Sequence, residues 1–237
     1  MSAIKLKELK TTIRANADKN YAETMQSFFK TGKGEYGEGD KFLGLAVPLQ
    51  RKIAKKFNEL ELSDLKQLLQ SKIHEERLMS LLILVEQYYN ADVSGKEKIY
   101  KFYIQNSQYI NNWDLVDLSA PKIVGKHLLN RDKKILFKYA RSNNLWKKRI
   151  AMISTFTFIK NNKLDTSLEL SDILLYDEHD LIHKAVGWML REVGKMNMNV
   201  LEKFLRPRYI KMPRTMLRYA IEKFPEQKRK KYLKGTI

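Results

Sequence analysis

The sequence predicts an all-α solenoid of antiparallel helix pairs with a concave basic surface. Three observations predict it. Apolar residues recur at helical spacing from Leu60 onward, and alternating strand-like runs bounded by turn residues are missing. The apolar segments are joined by short polar links such as "SGK", "NRD" and "DEHD". Finally, Arg77, Trp113, Arg149, Lys184 and Arg218, markers near the start of successive second helices, stand 36, 36, 35 and 34 residues apart. A fixed period of this size, with two helices per unit, is the signature of an α-solenoid and falls near the short end for HEAT-like repeats. Each pair has one apolar face and must stack on its neighbours to bury it.

The expected organisation is a single repeat domain over 1–237. Residues 1–57 form a helical cap, from "MSAIKLKELKTTIRANA", "KNYAETMQSFFK" and "PLQRKIAKKF", with Pro48 suited to a first helical turn. Inside the cap, the stretch 31–44 carries five of the ten glycines and reads as a flexible surface loop. Its "GKGEYG" formally matches G-x-G-x-x-G, but no strand precedes it and no helix opens on its last glycine, so it is not a dinucleotide cradle. Residues 58–237 hold about five helix pairs. Their segments run in order "ELSDLKQLLQ", "HEERLMSLLILVEQYYN", "GKEKIYKFYIQNSQYI", "WDLVDLSAPKIVGKHLL", "DKKILFKYARS", "LWKKRIAMISTFTFIKN", "SLELSDILLY", "DLIHKAVGWMLREVGK" and "PRTMLRYAIEKF".

Charge then narrows the partner. Lys and Arg number 45 against 27 Asp and Glu, a formal net charge of +18. Such an excess points to a polyanion, nucleic acid first and an anionic membrane surface second. The absence of cysteine excludes disulfides and thiolate metal sites. The N-terminus has no long apolar segment and no apolar run approaches a membrane span, so the expectation is a soluble cytoplasmic protein, brought to the nucleoid by DNA binding.

Several chemistries drop out. Of His74, His127, His179 and His183, only the last two share helical spacing, and "HDLIH" is not H-E-x-x-H. No G-x-S-x-G and no Walker A sequence occurs. What remains lies at matching places in successive repeats. Trp113 and Asp117 are four residues apart, hence on one helix face, beside the apolar stripe of Val116, Ala120, Ile123 and Val124. Pro121 has no N–H to give the carbonyl of Asp117, so a kink or local widening is expected there. Asp114, in the first turn, reads as a helix-dipole residue. Arg149 and Trp188 stand at comparable places in the next two repeats, and the stacked helices are expected to align all four along the concave wall.

"WDLVD", "LWKKRIAMI" and "HKAVGWMLREVGK", with "MQSFFK" and "FLGLAVPLQRK" before them, resemble the AlkD family of DNA glycosylases. The resemblance spans most of the chain. It implies excision of cationic alkylated purines, such as 3-methyladenine and 7-methylguanine, from duplex DNA without flipping the base. It implies Asp117 as the catalytic carboxylate, Trp113 and Trp188 as an aromatic pair against the deoxyribose, and Arg149 as a backbone contact. Two positions depart from the family pattern: Ala46 stands where a glutamine is usual, and Phe28 where a tyrosine is usual.

The chemistry fits a single carboxylate. A cationic base is already a good leaving group, so the second, acidic carboxyl of ordinary glycoside hydrolysis is not required. Asp117 then stabilises the oxocarbenium-like sugar and positions water. Lys148, Arg149, Lys184 and Arg191 are expected to hold phosphates. No cofactor is implied, and a monomer is expected. Two other readings stay open: a non-catalytic repeat protein that binds duplex, bent or branched DNA, and a protein-interaction scaffold.

Overall fold

A computed structural model describes residues 2–237, and among these there is helix and loop but no strand, only a bridge between Lys41 and Ile73. The architecture is the all-α solenoid of helix pairs that the period predicts. By its internal contacts the chain divides into two compact units, Met1–Ser119 and Ala120–Ile237.

The first unit contains α1 (Ser2–Ala15), α2 (Lys19–Phe28), α3 (Val47–Lys56), α4 (Leu62–Leu69), α5 (His74–Asn90), α6 (Val93–Gln105), a 3-10 turn (Ser107–Tyr109) and α7 (Trp113–Ser119). Its centre is α5, which packs against α1, α3, α4, α6 and α7. Being covered on all sides, α5 is buried almost continuously from His74 to Val85. Its apolar run "LMSLLILV" accounts for most of that core. Each fully buried Leu or Ile contributes about 1.5–3 kcal/mol relative to exposure.

The second unit contains a π-helical turn (Pro121–Gly125), α8 (Lys126–Leu128), α9 (Lys134–Ala140), α10 (Leu145–Lys160), α11 (Asp165–Ile173), α12 (Asp180–Met196), α13 (Met198–Leu205), α14 (Arg214–Ala220) and α15 (Glu226–Lys234). The pairs are α9 with α10 and α11 with α12, while α13 and α14 both pack on α12. The second helices form one layer, α10 on α12 on α14, and α9 touches α11 in the other. This is the repeat logic realised: each pair buries its stripe against the next.

Local chemistry fixes the helix starts. Asp18 accepts the Tyr21 N–H at 2.9 Å, Asp92 the Gly95 N–H at 2.7 Å, and Asn144 the N–H groups of Trp146 and Lys147 at 3.0 and 2.9 Å. His179 caps α12 through Nδ1, which accepts the Leu181 N–H at 3.1 Å. Burial pushes its pKa below the usual histidine value, which keeps that nitrogen free to accept. Pro48 occupies the first turn of α3 as expected.

The widening expected at Pro121 is present. From Ala120 the ladder changes to i→i−5, with Gly125 N–H donating to Ala120 O at 2.9 Å, and the Thr157 hydroxyl donates to Pro121 O at 2.6 Å. Two helices, α13 and α15, are absent from the list of expected segments. α13 buries Leu201, Phe204 and Leu205 at helical spacing but is only eight residues long, and α15 ("EQKRKKYLK") buries Tyr232 alone and has no apolar stripe. The repeat markers also need one correction. Arg149, Lys184 and Arg218 each lie four residues after the first residue of α10, α12 and α14, whereas Trp113 opens α7. The position of α7 in register with them is Asp117.

A cavity with an aromatic-backed carboxylate

A cavity of about 460 Å³ lies wholly in the first unit, with walls from α2, α3, α5, α7 and the loop between α2 and α3. Trp113 and Asp117, both half-buried, line it one helical turn apart. Trp113 is fixed from behind. Its ring lies flat on Phe29 (centroids 5.0 Å apart, planes at 7°), while Phe28 meets it edge-on at 5.9 Å. Phe29 stacks in turn on Phe42 at 5.0 Å, and Phe42 on the imidazole of His74 at 4.5 Å. Such offset aromatic contacts add about 0.5–1.5 kcal/mol each beyond area burial.

The rest of the frame comes from "HEER", the first four residues of α5, each 3% exposed or less. His74 bridges two acids: Nε2 lies 2.7 Å from Asp114 Oδ2 and Nδ1 lies 3.3 Å from Asp40 Oδ2. The same Asp40 oxygen receives Arg77 Nη2 at 2.7 Å and Asn112 Nδ2 at 3.1 Å. Glu75 accepts the N–H groups of Leu43, Gly44 and Leu45 at 3.0, 2.8 and 3.3 Å. Glu76 pairs with Arg14 at 3.1 Å and Lys10 at 3.7 Å. Burial works against charge on His74, but the Asp114 charge and hydrogen bond, with Asp40 behind them, outweigh it and raise its pKa to about 9. Burial likewise raises Asp40, yet the His74 and Arg77 contacts leave its carboxyl below the usual range.

Two sequence expectations change here. The stretch 31–44 is exposed over much of its length but not a free loop throughout. Asp40 and Phe42 are buried, and Gly44, at φ +87°, passes so close to α2 that a Cβ would lie 2.0 Å from Asp18 O. Asp114 is not simply a dipole residue: it is 6% exposed and committed to His74. The sequence signal is "HEER", four charged or titratable residues directly ahead of the apolar run "LMSLLILV". Gln50 belongs to the same wall. It lines the cavity at 2% exposure, donates from Nε2 to Leu45 O at 2.7 Å, and its Oε1 has no hydrogen-bond partner among the described residues.

The remaining candidates lie in the second unit. Trp188 is half-buried on α12 with Phe156 6.0 Å away. Arg149 is 5% exposed, and its Nη1 donates to Leu181 O at 2.7 Å, tying α10 to the start of α12. Lys148 pairs with Asp177 at 2.6 Å and Lys184 with Asp180 at 2.7 Å, the latter holding the Asp180 carboxyl below its usual range. Arg191 pairs with Glu222. Ala46, the N-cap of α3, has no side-chain cap bond, and Phe28 is 59% exposed.

Comparison with known proteins gives the class to which this all-helical scaffold belongs. The family model for DNA alkylation repair enzymes matches residues 9–224, and the chain belongs to that family. Its fold is similar to that of a solved structure described as a predicted DNA alkylation repair enzyme from Enterococcus faecalis, with a TM-score of 0.69, 16% identity, and coverage of 89% of this chain and 97% of that one. No curated protein sequence matches.

Proposed function

We propose that this protein hydrolyses the N-glycosidic bond of cationic alkylated purines, 3-methyladenine and 7-methylguanine, in duplex DNA, as the first step of base excision repair. The observation that carries the reading is the pairing of Asp117 with Trp113 on one cavity wall, the indole held flat against Phe29. As the C1′–N bond breaks, its electron pair goes to the base, which leaves neutral, and positive charge develops on the sugar. The Asp117 carboxylate stabilises that charge, and the tryptophan face adds attraction while excluding water. Asp117 orients the water that forms the new C1′–O bond, whose proton passes to the carboxylate or to solvent.

The family resemblance supplies Trp188 as second aromatic, Arg149 as a backbone contact, and a base that stays in the stack; Lys148, Lys184 and Arg191 are added as phosphate contacts on their charge alone. A net charge of +18 supports DNA as the partner. The test is base release from methylated duplex DNA. Wild type frees methylpurine, and Asp117→Asn slows release about 100-fold or more, the scale of losing one charge-stabilising group. Duplex binding without any base release by wild type would favour the non-catalytic binder instead.

A further inference from the structure

The cavity wall that carries Trp113 and Asp117 is held by a buried cluster of charged side chains. His74, Asp40, Asp114 and Arg77 come from α5, the loop between α2 and α3, and the first turn of α7, and their formal charges cancel when the imidazole is protonated. Both ring nitrogens face carboxylate oxygens, and a doubly protonated ring donates to both; Arg77 Nη2, 3.4 Å from Nδ1, opposes that charge but is itself drawn to Asp40 at 2.7 Å. Asp114 sits next to Trp113 and three residues before Asp117. Phe42, from the same loop as Asp40, covers the imidazole face and continues through Phe29 to Trp113. The imidazolium therefore holds α7 twice: through Asp114 by hydrogen bond and through the ring stack by contact.

We infer that His74 is a positioning residue, whose imidazolium sets the first turn of α7 and thereby the placement of Trp113 and Asp117 against the cavity. The consequence for base excision rests on the function proposed above; the structural coupling does not. Removing the ring proton leaves Asp40 and Asp114 with Arg77 as the only remaining cation of the cluster, and one nitrogen–carboxylate contact becomes repulsive. The other charged groups of "HEER" are engaged elsewhere, Glu75 on the loop amides and Glu76 on Arg14 and Lys10, so neither replaces the lost proton. A pKa near 9 places this loss in an accessible alkaline range.

The test is an NMR titration of the full chain from pH 7 to 10, following the His74 ring and the Trp113 indole, in wild type and in Asp114→Asn. The expected result is a doubly protonated His74 at pH 7.5, a Trp113 indole signal that moves with the same midpoint, and a midpoint at least one pH unit lower in Asp114→Asn. A neutral His74 at pH 7.5, or a Trp113 signal indifferent to its titration, overturns the inference. In parallel, single-turnover base release at saturating methylated duplex should fall about tenfold across the same midpoint while duplex affinity stays within twofold. A pH-independent single-turnover rate overturns the functional consequence. Complete absence of release at every pH overturns the proposed function and leaves the NMR arm to decide the coupling. If Asp114→Asn does not fold, the wild-type midpoints of His74 and Trp113, coincident or separate, decide alone.

Discussion

The indole of Trp113 and the ring of Phe29 lie parallel, 7° apart in plane and 5.0 Å between centroids. Phe29 is 6% exposed, so it is core on one face and support for the site on the other. Phe29→Ala removes both functions. Truncating a buried Phe costs about 3–5 kcal/mol, which urea denaturation will read directly. Phe29→Leu separates the two effects: it keeps most of the volume at a cost of about 1 kcal/mol, but leaves Trp113 without its flat partner. The expected outcome is a near-native melting curve with altered Trp113 emission and base release reduced about tenfold.

Stability should pass through a maximum in mildly acidic to neutral solution. His74 has a folded pKa near 9, above its ordinary 6.5, so its contribution is complete below about pH 6.5 and is lost as pH rises through 9. Asp40 acts in the opposite sense. Its folded pKa lies below the ordinary 3.8, so its contribution is complete above that value and is lost on acidification. Urea midpoints at pH 6, 8 and 9.5 should decline in that order, and His74→Phe should flatten the alkaline decline. An unchanged midpoint from pH 6 to 9.5 contradicts the pairing of His74 with Asp114.

Glu75 holds the loop by accepting three backbone N–H groups at Leu43, Gly44 and Leu45. Glu75→Gln keeps the shape, but offers one acceptor oxygen and turns an NH₂ donor toward other donors. Charge-assisted bonds of this kind are worth about 1.5–3 kcal/mol, and a stranded buried amide costs a similar amount. The variant should lose about 2–4 kcal/mol in total by denaturant unfolding, with faster amide exchange at Leu43 to Leu45. Protection equal to wild type at those three amides counts against the loop anchor.

Much of this was legible in the sequence because the signals are local. The helical period, the polar links and Pro121 each act within one turn of chain, and the helices of both units other than α13 and α15, with the widened turn at Pro121, follow from them. Trp113 and Asp117 were legible as a pair because four residues of helix put them on one face. Their frame was not. Asp40, His74 and Asp114 meet across separations of 34 and 40 residues, and nothing short of the packed fold brings them together. The same limit applies to cations. Lysine and arginine counts predict a polyanion partner, but pairing of Lys148, Lys184 and Arg191 with acids, and burial of Arg149, are products of packing.

Close packing between repeats gives a fourth prediction, independent of function. A Cβ on Gly187 of α12 would lie 2.5 Å from Tyr219 Cβ and 2.6 Å from Met216 O of α14. The second is backbone, so the two helices must separate. Gly187→Ala should destabilise by about 1–3 kcal/mol despite the better helix propensity of alanine. A stabilised variant in thermal or urea unfolding means that α12 and α14 do not approach this closely.

The pairing of the basic residues makes the last prediction, one that separates DNA binding from mere basicity. Arg191 is joined to Glu222, an acid that is half-exposed and also pairs with Lys223 at 3.1 Å. A phosphate that uses Arg191 has to displace or share with that carboxylate. Surface pairs of this kind contribute about 0–1 kcal/mol, so Glu222→Gln should leave the fold intact. Its effect should appear in duplex affinity, which rises severalfold at low salt as the competing negative charge is removed, with the gain shrinking as salt screens both partners. Arg191→Ala should act in the opposite direction, weakening binding and lowering the slope of log K against log salt by about one. Fluorescence anisotropy with an undamaged duplex at several salt concentrations reads both. If neither variant changes affinity or slope, Arg191 is removed from the DNA contacts, and a salt-independent wild type would argue against duplex binding itself.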